Sequence, residues 1–388
     1  MSRITLVTTV IATALILPHD SARASGTTIN EVSARASGMQ GAFTAIADDP
    51  SAIFYNPAGI TQLEGTQIAF NPSIVVPNIE YERPGLGSVE DQGSIPGFSL
   101  FATSDVLGSA TLGLGLYVPF GRATKFDNNA TLLGLSHRAS LIRTDLTPTI
   151  AFRPHPNVSV GLGLVASHVS LYTNILGLEE SARGYGFTAN AGVLIEGPEH
   201  LSFGLSYRGA MASRLEGHGT FAGQRDDFHA KLRFPAIMSA GLAWEPNEKL
   251  LLSATWDWEM WSYVEDFRRD YTNATLGAVG TNNFDADDVG TLRIGAVYRP
   301  KPEHEIRLGF SRSPSAFPAR NTAPAQPDLD LQFFSVGYSR ILDKLTLSLS
   351  YQFVQSKERT TQSPFFPGRY EIRADILQVG FSYRWDAD

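Results

Sequence analysis

From Thr66 onward, apolar and polar residues alternate along the chain. Leu345, Leu347, Leu349, Tyr351 and Phe353 are interleaved with Thr346, Ser348, Ser350 and Gln352. Ile306, Leu308 and Phe310 alternate with Glu305, Arg307 and Ser311, and Leu292, Ile294, Ala296 and Tyr298 with Thr291, Arg293 and Arg299. A period of two places such sets on opposite faces of a strand. Residues 26–65 lack this period and are rich in small side chains, from Ser33 to Gly38 and from Gly41 to Asp49. They are expected to hold one or two short helices, for instance across Ala42 to Ala47, and a turn at Asn56-Pro57-Ala58-Gly59.

The connections between alternating segments are short and long by turns. Short ones fall at Asp105 to Gly108, Pro154 to Asn157, Gly197 to His200, Glu245 to Lys249, Pro300 to His304 and Asp343-Lys344. Longer, more polar ones fall near 76–94, 119–136, 172–184, 212–227, 262–288, 314–329 and 357–369. Outer-membrane barrels show this asymmetry, with tight periplasmic turns and long external loops, whereas a soluble sandwich has no reason to keep it. The pattern predicts an all-β fold, a transmembrane antiparallel β-barrel of about 14 strands. The barrel would occupy residues 66–388, with strand one starting at Thr66, the last ending near Trp385 and both sheet ends on the periplasmic side. Leu377, Val379, Phe381, Tyr383 and Trp385 form the apolar row of the closing strand. Asp386-Ala387-Asp388 follow, where barrels of this class usually end on the aromatic residue.

Composition then removes alternatives. Met1-Ser2-Arg3, the apolar stretch Ile4 to Leu17 and the small-x-small site Ala22-Arg23-Ala24 read as a signal peptide over residues 1–24, with the mature chain starting at Ser25. That stretch is shorter than the roughly 20 residues a membrane helix needs. Later runs such as Leu250 to Trp261 carry Asp257 and Glu259. A hydrophobic fraction of 43% with 35 glycines suits either a large soluble all-β protein or a barrel, so the periodicity decides. With no cysteine, stability has to come from a closed sheet. Removing Arg3, Arg23 and Asp20 takes the formal charge from -8 to -9, which argues against a nucleic-acid partner.

Several segments carry a resemblance to a known family. These are Ile29-Asn30-Glu31-Val32-Ser33, Gly41-Ala42-Phe43, Ala45-Ile46-Ala47-Asp48-Asp49 and Phe54-Tyr55-Asn56-Pro57-Ala58-Gly59. Further along come Val118-Pro119-Phe120-Gly121, Trp261-Ser262, Arg307-Leu308-Gly309-Phe310, and Pro327-Asp328 ahead of Phe333-Phe334-Ser335-Val336-Gly337. Together they resemble the FadL family of outer-membrane transporters for long-chain fatty acids and hydrocarbons. The resemblance implies that residues 25–65 fold back into the barrel as a hatch. It also implies a kinked third strand, here Thr111 to Val118, that opens the wall so that a greasy ligand leaves sideways. It implies passive uptake of hydrophobic small molecules, long-chain fatty acids first and aromatic or alkane hydrocarbons as the alternative. The location is the outer membrane of a Gram-negative bacterium, with outer-membrane lipid and lipopolysaccharide as surroundings, and a closed barrel is expected to be a monomer.

Candidate residues follow. In the hatch, Asn56 is expected to bond lumen-lining backbone, Pro57 to fix the reversal before Ala58, and Asp48 and Asp49 either to pair with basic residues on the wall or to form a solvated turn. Gly113, Gly115 and Pro119 are expected at the lateral gate, although glycine is also ordinary in barrel strands. Gly309, in strand eleven, should play no part. Phe120, Phe126, Leu132, Leu133 and Leu135 form an apolar loop cluster, either a capture groove for ligand or the loop's own core. Arg143, Arg293, Arg307 and Arg373 are lumen candidates, for hatch pairing or for a carboxylate ligand. Trp256, Trp258 and Trp261 are expected to face the membrane.

An enzyme is not expected. Eight scattered histidines without HExxH give no metal site, His137 and Ser140 lack a third partner, and Gly161-Leu162-Gly163 lies within a strand. No cofactor is implied. The acidic run Asp285-Ala286-Asp287-Asp288 could hold a cation, though such loops usually face water. A structural or adhesive barrel and a lipolytic barrel enzyme are the other classes considered.

Overall fold

The computed structural model describes residues 28–91, 93–105, 110–126, 136–175, 177–264, 267–272, 285–323, 327–361, 363 and 366–385. The expected signal peptide and the loop leucines Leu132, Leu133 and Leu135 lie outside them. Fourteen barrel strands follow one another around the wall. They are β1 (Thr66–Arg83), β2 (Ile95–Ser104), β3 (Ala110–Lys125), β4 (Ser136–His155), β5 (Val158–Ile175), β6 (Leu178–Glu196), β7 (Leu201–Arg208 and Met211–Phe221), β8 (Gln224–Phe234 and Ile237–Asn247), β9 (Leu250–Glu259), β10 (Val289–Lys301), β11 (His304–Ser313), β12 (Leu331–Leu342), β13 (Leu345–Ser356) and β14 (Gly368–Trp385). Each pairs antiparallel with the next. β1 pairs with β14 from Thr66↔Trp385 to Glu82↔Arg369, which closes the sheet. Short strands at Gly87–Glu90, Arg269–Tyr271 and Arg359–Thr361 extend three of the long connections.

Alternation sets the two faces. On β13, Leu349 and Tyr351 point outward at 47% and 42% exposure, while Ser350 and Gln352 between them are 1% and 0% exposed. The same outward apolar row continues through Leu308, Val336, Phe381 and Trp256. This is the surface a membrane barrel presents to lipid.

Beyond that band the sign of the alternation inverts. On the upper parts of β7 and β8, Leu215, Phe228 and Leu232 are buried inward and Arg214, Glu216, His229 and Lys231 are exposed outward. There the outside is water and the inside is a packed core. The long polar connections expected at 172–184 and 212–227 are therefore strands, ending in tight hairpins at Gly177 and at Ala222-Gly223.

The N-terminal segment fills the lumen. α1 (Ala34–Ser37), α2 (Ala52–Tyr55) and a 3-10 turn (Pro57–Gln62) are its regular elements. Ala42 to Ala47, expected as helix, form turns instead, because Gln40 and Gly41 enter the left-handed region and reverse the chain there. Phe43, Ile53, Phe54 and Ile60 pack against Phe101, Tyr117, Ala151, Ala243 and Val297 of the wall. Inward glycines of the wall let the hatch backbone come this close. A side chain at Gly161 would lie 2.3 Å from the Pro57 carbonyl carbon, and one at Gly204 would lie 2.1 Å from the Thr44 carbonyl oxygen.

Candidate functional site

Asn56 locks the hatch to the wall. Fully buried, it donates from Nδ2 to the carbonyls of Thr44 (2.8 Å) and of Val193 on β6 (3.0 Å), and its Oδ1 accepts from the Ala58 amide (3.2 Å). Pro57 opens the 3-10 turn that follows. Asp48 meets Arg35 of the hatch itself (Nη2 to Oδ2, 2.9 Å) and not a wall arginine. Arg35 then reaches Glu305 of β11 at 3.2 Å, so the ion pair across the interface has the charges opposite to those expected. Burial works against the Arg35 charge, yet Asp48 and Glu305 outweigh it and hold the guanidinium well above its usual range. Asp49 accepts from the Ser51 amide (2.8 Å), and burial raises its carboxyl above the ordinary value against the pull of Arg35.

The wall is incomplete between β2 and β3. These strands pair only from Ser104↔Leu112 to Leu100↔Leu116. Past that point β2 continues from Ser99 to Ile95 paired to β1 alone, and β3 continues to Lys125 paired to β4 and, at Phe120, bridged by Thr28 of the hatch, but not to β2. An isolated bridge between Asp91 and Phe126 bounds the lapse at its far end. Two local causes are visible. Val118 and Pro119 bulge out of the β3–β4 register, between Tyr117↔Asp145 and Phe120↔Arg143. Pro119 on one lip and Pro96 on the other have no N–H to give a ladder. The hatch uses what the bulge leaves over, since the Ile29 amide donates to the Pro119 carbonyl at 2.8 Å.

A cavity of about 250 Å³ lies behind this lapse. Both lips line it, through Ile95, Pro96, Gly97 and Phe98 and through Val118, Gly121 and Ala123. Its far wall is Val75, Ile79, Leu331, Phe333, Val354, Ile372 and Ile376, and its hatch side is the segment Thr28 to Val32. Its charged lining is balanced, with Glu31 and Glu259 against Arg122 and Arg293. Arg293 bonds Asp257 at 2.6 Å and the hatch carbonyl of Gln40 at 3.1 Å. Arg122 donates to the Pro327 carbonyl at 2.7 Å. Glu259 accepts from Thr28 (3.0 Å) and from the Trp261 indole (2.9 Å). Burial raises the Glu31 carboxyl above its ordinary value, against the pull of Arg293.

Several expected site residues lie elsewhere. Gly113 and Gly115 are paired on both sides, to Thr103 and Thr149 and to Phe101 and Thr147, so the wall is closed where they stand. Their missing side chains make room for the hatch, because a Cβ at Gly113 would sit 2.8 Å from Ile53. Gly309 has the same task, against Met39 and Gln40. Phe120 is not an exposed groove residue. It is buried with Phe234, Trp261 and Phe317 in the core under the loops, and Phe126 packs separately with Tyr81, Leu329 and Tyr370. Trp256 and Trp258 face outward, but Trp261 is in that core because the chain has turned inward past Glu259.

The lumen arginines divide. Arg143 is buried on Asp145 (2.8 Å) with its guanidinium over the Phe120 and Phe234 rings, and Arg307 holds Ser339 (2.8 Å) and Glu305. Arg373 faces outward, paired with Glu371 at 2.7 Å, because its register on β14 puts Ala374 inward instead. Arg293 alone of the four reaches the cavity. Arg122, Glu31 and Glu259 were missed, and only the Pro-containing break beside Arg122 offered a signal.

The described acidic residues from Asp285 to Asp288 bond side chains and backbone. Asp285 accepts from Arg320 and Asp288 from the Ser262 amide.

Comparison with known proteins agrees with this geometry. The model of the outer membrane protein transport family (OMPP1/FadL/TodX) matches residues 17–178 and 170–385. Over an alignment of 426 positions, gaps included, the chain is 24% identical to a 47 kDa outer membrane protein of Pasteurella multocida, covering 97% of this chain and 98% of that one. A stretch of 123 residues is 37% identical to an outer membrane protein of Neisseria meningitidis, but spans only 26% of its length. A FadL homologue from Pseudomonas aeruginosa superposes with a TM-score of 0.79 at 17% identity, over 93% of this chain and 100% of that one. The Ralstonia pickettii toluene transporter TbuX superposes with a TM-score of 0.72 at 14% identity, over 90% and 97%.

Proposed function

The chain belongs to the OMPP1/FadL/TodX family of outer membrane transport proteins, which carry hydrophobic compounds across the Gram-negative outer membrane, and on that premise we propose that it releases its ligand sideways into the membrane between β2 and β3. One observation carries this reading: both unpaired lips of the wall line the apolar cavity above the hatch segment. A hydrophobic molecule gains roughly 0.8 kcal/mol for each methylene kept from water, so a path that never enters the periplasm avoids a large loss.

For the ligand, the cavity favours uncharged molecules of the aromatic or alkane class. Its two arginines already bond protein acceptors and its two carboxylates match them, so an incoming carboxylate would be a surplus buried anion. That a toluene transporter shares the fold is in keeping with this choice. Long-chain fatty acids are the second reading. The extended apolar run from Ile95 to Ile376 suits a chain, and Arg122 or Arg293 would then have to exchange a partner for the carboxylate.

Uptake of labelled toluene, hexadecane and oleate in cells with and without the gene tests both. Gene-dependent uptake of the hydrocarbons is expected. Gene-dependent uptake of oleate alone would overturn the uncharged-ligand reading and leave the lateral route standing.

A further inference from the structure

Around the outer face of β5 to β8, the apolar surface ends in a belt of cations. One register row carries His168, Tyr185, Arg214 and Lys231 across four neighbouring strands, with Arg214 directly opposite Lys231. The row beyond it carries Ser170, Arg183, Glu216 and His229. Arg183, Arg214 and Lys231 are exposed and make no ion pair among the described residues. Like charges directly opposite each other on paired strands repel, so a sheet gains nothing from this placement by itself. Two outward arginines elsewhere at this end of the barrel are neutralised, Arg369 by Glu82 (2.6 Å) and Glu358 (3.2 Å) and Arg373 by Glu371.

The belt also stands at a definite depth. Outward positions on β6 are apolar from Ile195 through Val193, Ala191, Ala189 and Phe187 to Tyr185, and the next outward residue is Arg183. At a strand rise of about 3.3 Å and a tilt near 40°, that run spans roughly 25 Å, the height of a barrel's lipid-facing band. The cations therefore lie at the headgroup level of the outer leaflet. Tyr185, in the row of Arg214, and Phe187 and Leu164 below it are 70%, 78% and 71% exposed, the most prominent apolar side chains among the described residues of the wall. Beside these ridges the surface dips, at Ala189, Gly209 and Ala210, where the β6–β7 ladder lapses between Tyr185↔Arg214 and Asn190↔Arg208.

We propose that this belt is a docking site for a phosphorylated glycolipid of the outer leaflet, of the lipopolysaccharide class. Arg183, Arg214 and Lys231 hold its phosphates, and its acyl chains lie along Leu164 and Phe187 into the dip. Charge-assisted bonds to phosphate relieve the repulsion between Arg214 and Lys231, and the aromatic ridges give the chains a shaped bed. The inner faces of the same strands carry Leu215, Phe228 and Leu232, which roof the lumen, so the bound lipid braces that roof.

The test titrates the purified full-length protein in detergent with lipopolysaccharide, and with the same glycolipid stripped of phosphate, reading the bound fraction by native mass spectrometry. Wild type should bind the phosphorylated form at least about tenfold more tightly, as expected when several charge-assisted bonds are made together. Arg214→Ala/Lys231→Ala should lose that preference, while Arg214→Lys/Lys231→Arg and the control Arg369→Ala/Arg373→Ala keep it. All these side chains are exposed, and a gel shift on boiling confirms that each variant has closed its barrel. Equal binding by wild type and Arg214→Ala/Lys231→Ala would overturn the proposal. So would equal binding of phosphatidylglycerol vesicles, or displacement by millimolar inorganic phosphate, which would make the belt a general anion surface.

Discussion

Among the places where the described ladder lapses, those between β2 and β3 and between β6 and β7 are built for different ends. Behind the first is the apolar cavity, and its lips carry Pro96 and Pro119. Behind the second stands Met211, 1% exposed, with its sulfur where a side chain at Gly186 would begin, 2.6 Å from that Cβ position. The second lapse is also stitched by the Gly209 amide to the Ala189 carbonyl (2.9 Å) and by Ser213 Oγ to the Tyr185 carbonyl (3.1 Å). Missing ladder pairs alone therefore do not make an exit. What lies inside decides, since an empty apolar space admits a ligand and a packed methionine excludes one.

The sharpest separation of the two should come from bulk. Val118→Trp fills the first lip and should lower uptake more than roughly tenfold, the factor two methylenes at about 0.8 kcal/mol each already produce. Ala189→Trp, on the outer face of the second lapse, should leave uptake unchanged. Labelled hydrocarbon uptake at matched outer-membrane levels measures both, and equal loss in the two variants would erase the distinction drawn here.

Removing the plug attacks the comparison from the other side. Met211→Ala should lower stability by about 2–5 kcal/mol, read as an earlier unfolding midpoint, because it leaves a hole in the core under the loops. Combined with Val118→Trp it should restore part of the lost uptake by opening the second path. No recovery would mean that the interior cluster around Phe120 and Phe234 is itself a barrier.

A gentler change tests the lips. Pro119→Ala returns an N–H to β3 and should lower uptake by a few-fold as the edge gains a donor. Unchanged uptake would place the cause of the opening in the bulge geometry and not in the missing donor.

The smallest effect concerns the hatch behind both lapses. The Asp49 pKa is raised by burial, so the seated hatch favours the protonated form. That contribution is fully present below the ordinary carboxylate value and is lost as pH rises through the raised one. Mild acidification should therefore increase hydrogen-exchange protection of the hatch amides slightly, and Asp49→Asn should flatten the dependence. A steeper dependence in the variant would reverse the sign.

Much of the fold was legible because lipid enforces a simple code. Wherever a strand crosses the bilayer, outward residues such as Leu349 and Tyr351 must be apolar, and the start of β1 at Thr66 is where that code begins. The code fails where the outside turns aqueous. Residues 172–184 and 212–227 look like polar loops because their apolar members, Ala182 and Leu215, face inward, the reverse of the strands below. The site was harder to read for a related reason. Gly113 and Gly115 signal a close approach of backbone, but sequence does not say to what, and the neighbour is Ile53 of the hatch. The lapse three residues further on depends on which strand fails to pair, a property of two distant segments at once. Phe120 looked like a surface residue because its partners Phe234, Trp261 and Phe317 are far away in sequence.

The two prolines at the first lapse have a thermodynamic consequence. A wall parted by imino acids stands parted before any ligand arrives, so no binding event has to be coupled to opening it. Such a pore equilibrates its cargo between the loops and the outer membrane and cannot concentrate it. Net flux inward is then set by whatever removes the compound on the cell's side, and reversing that gradient should run the same path backward.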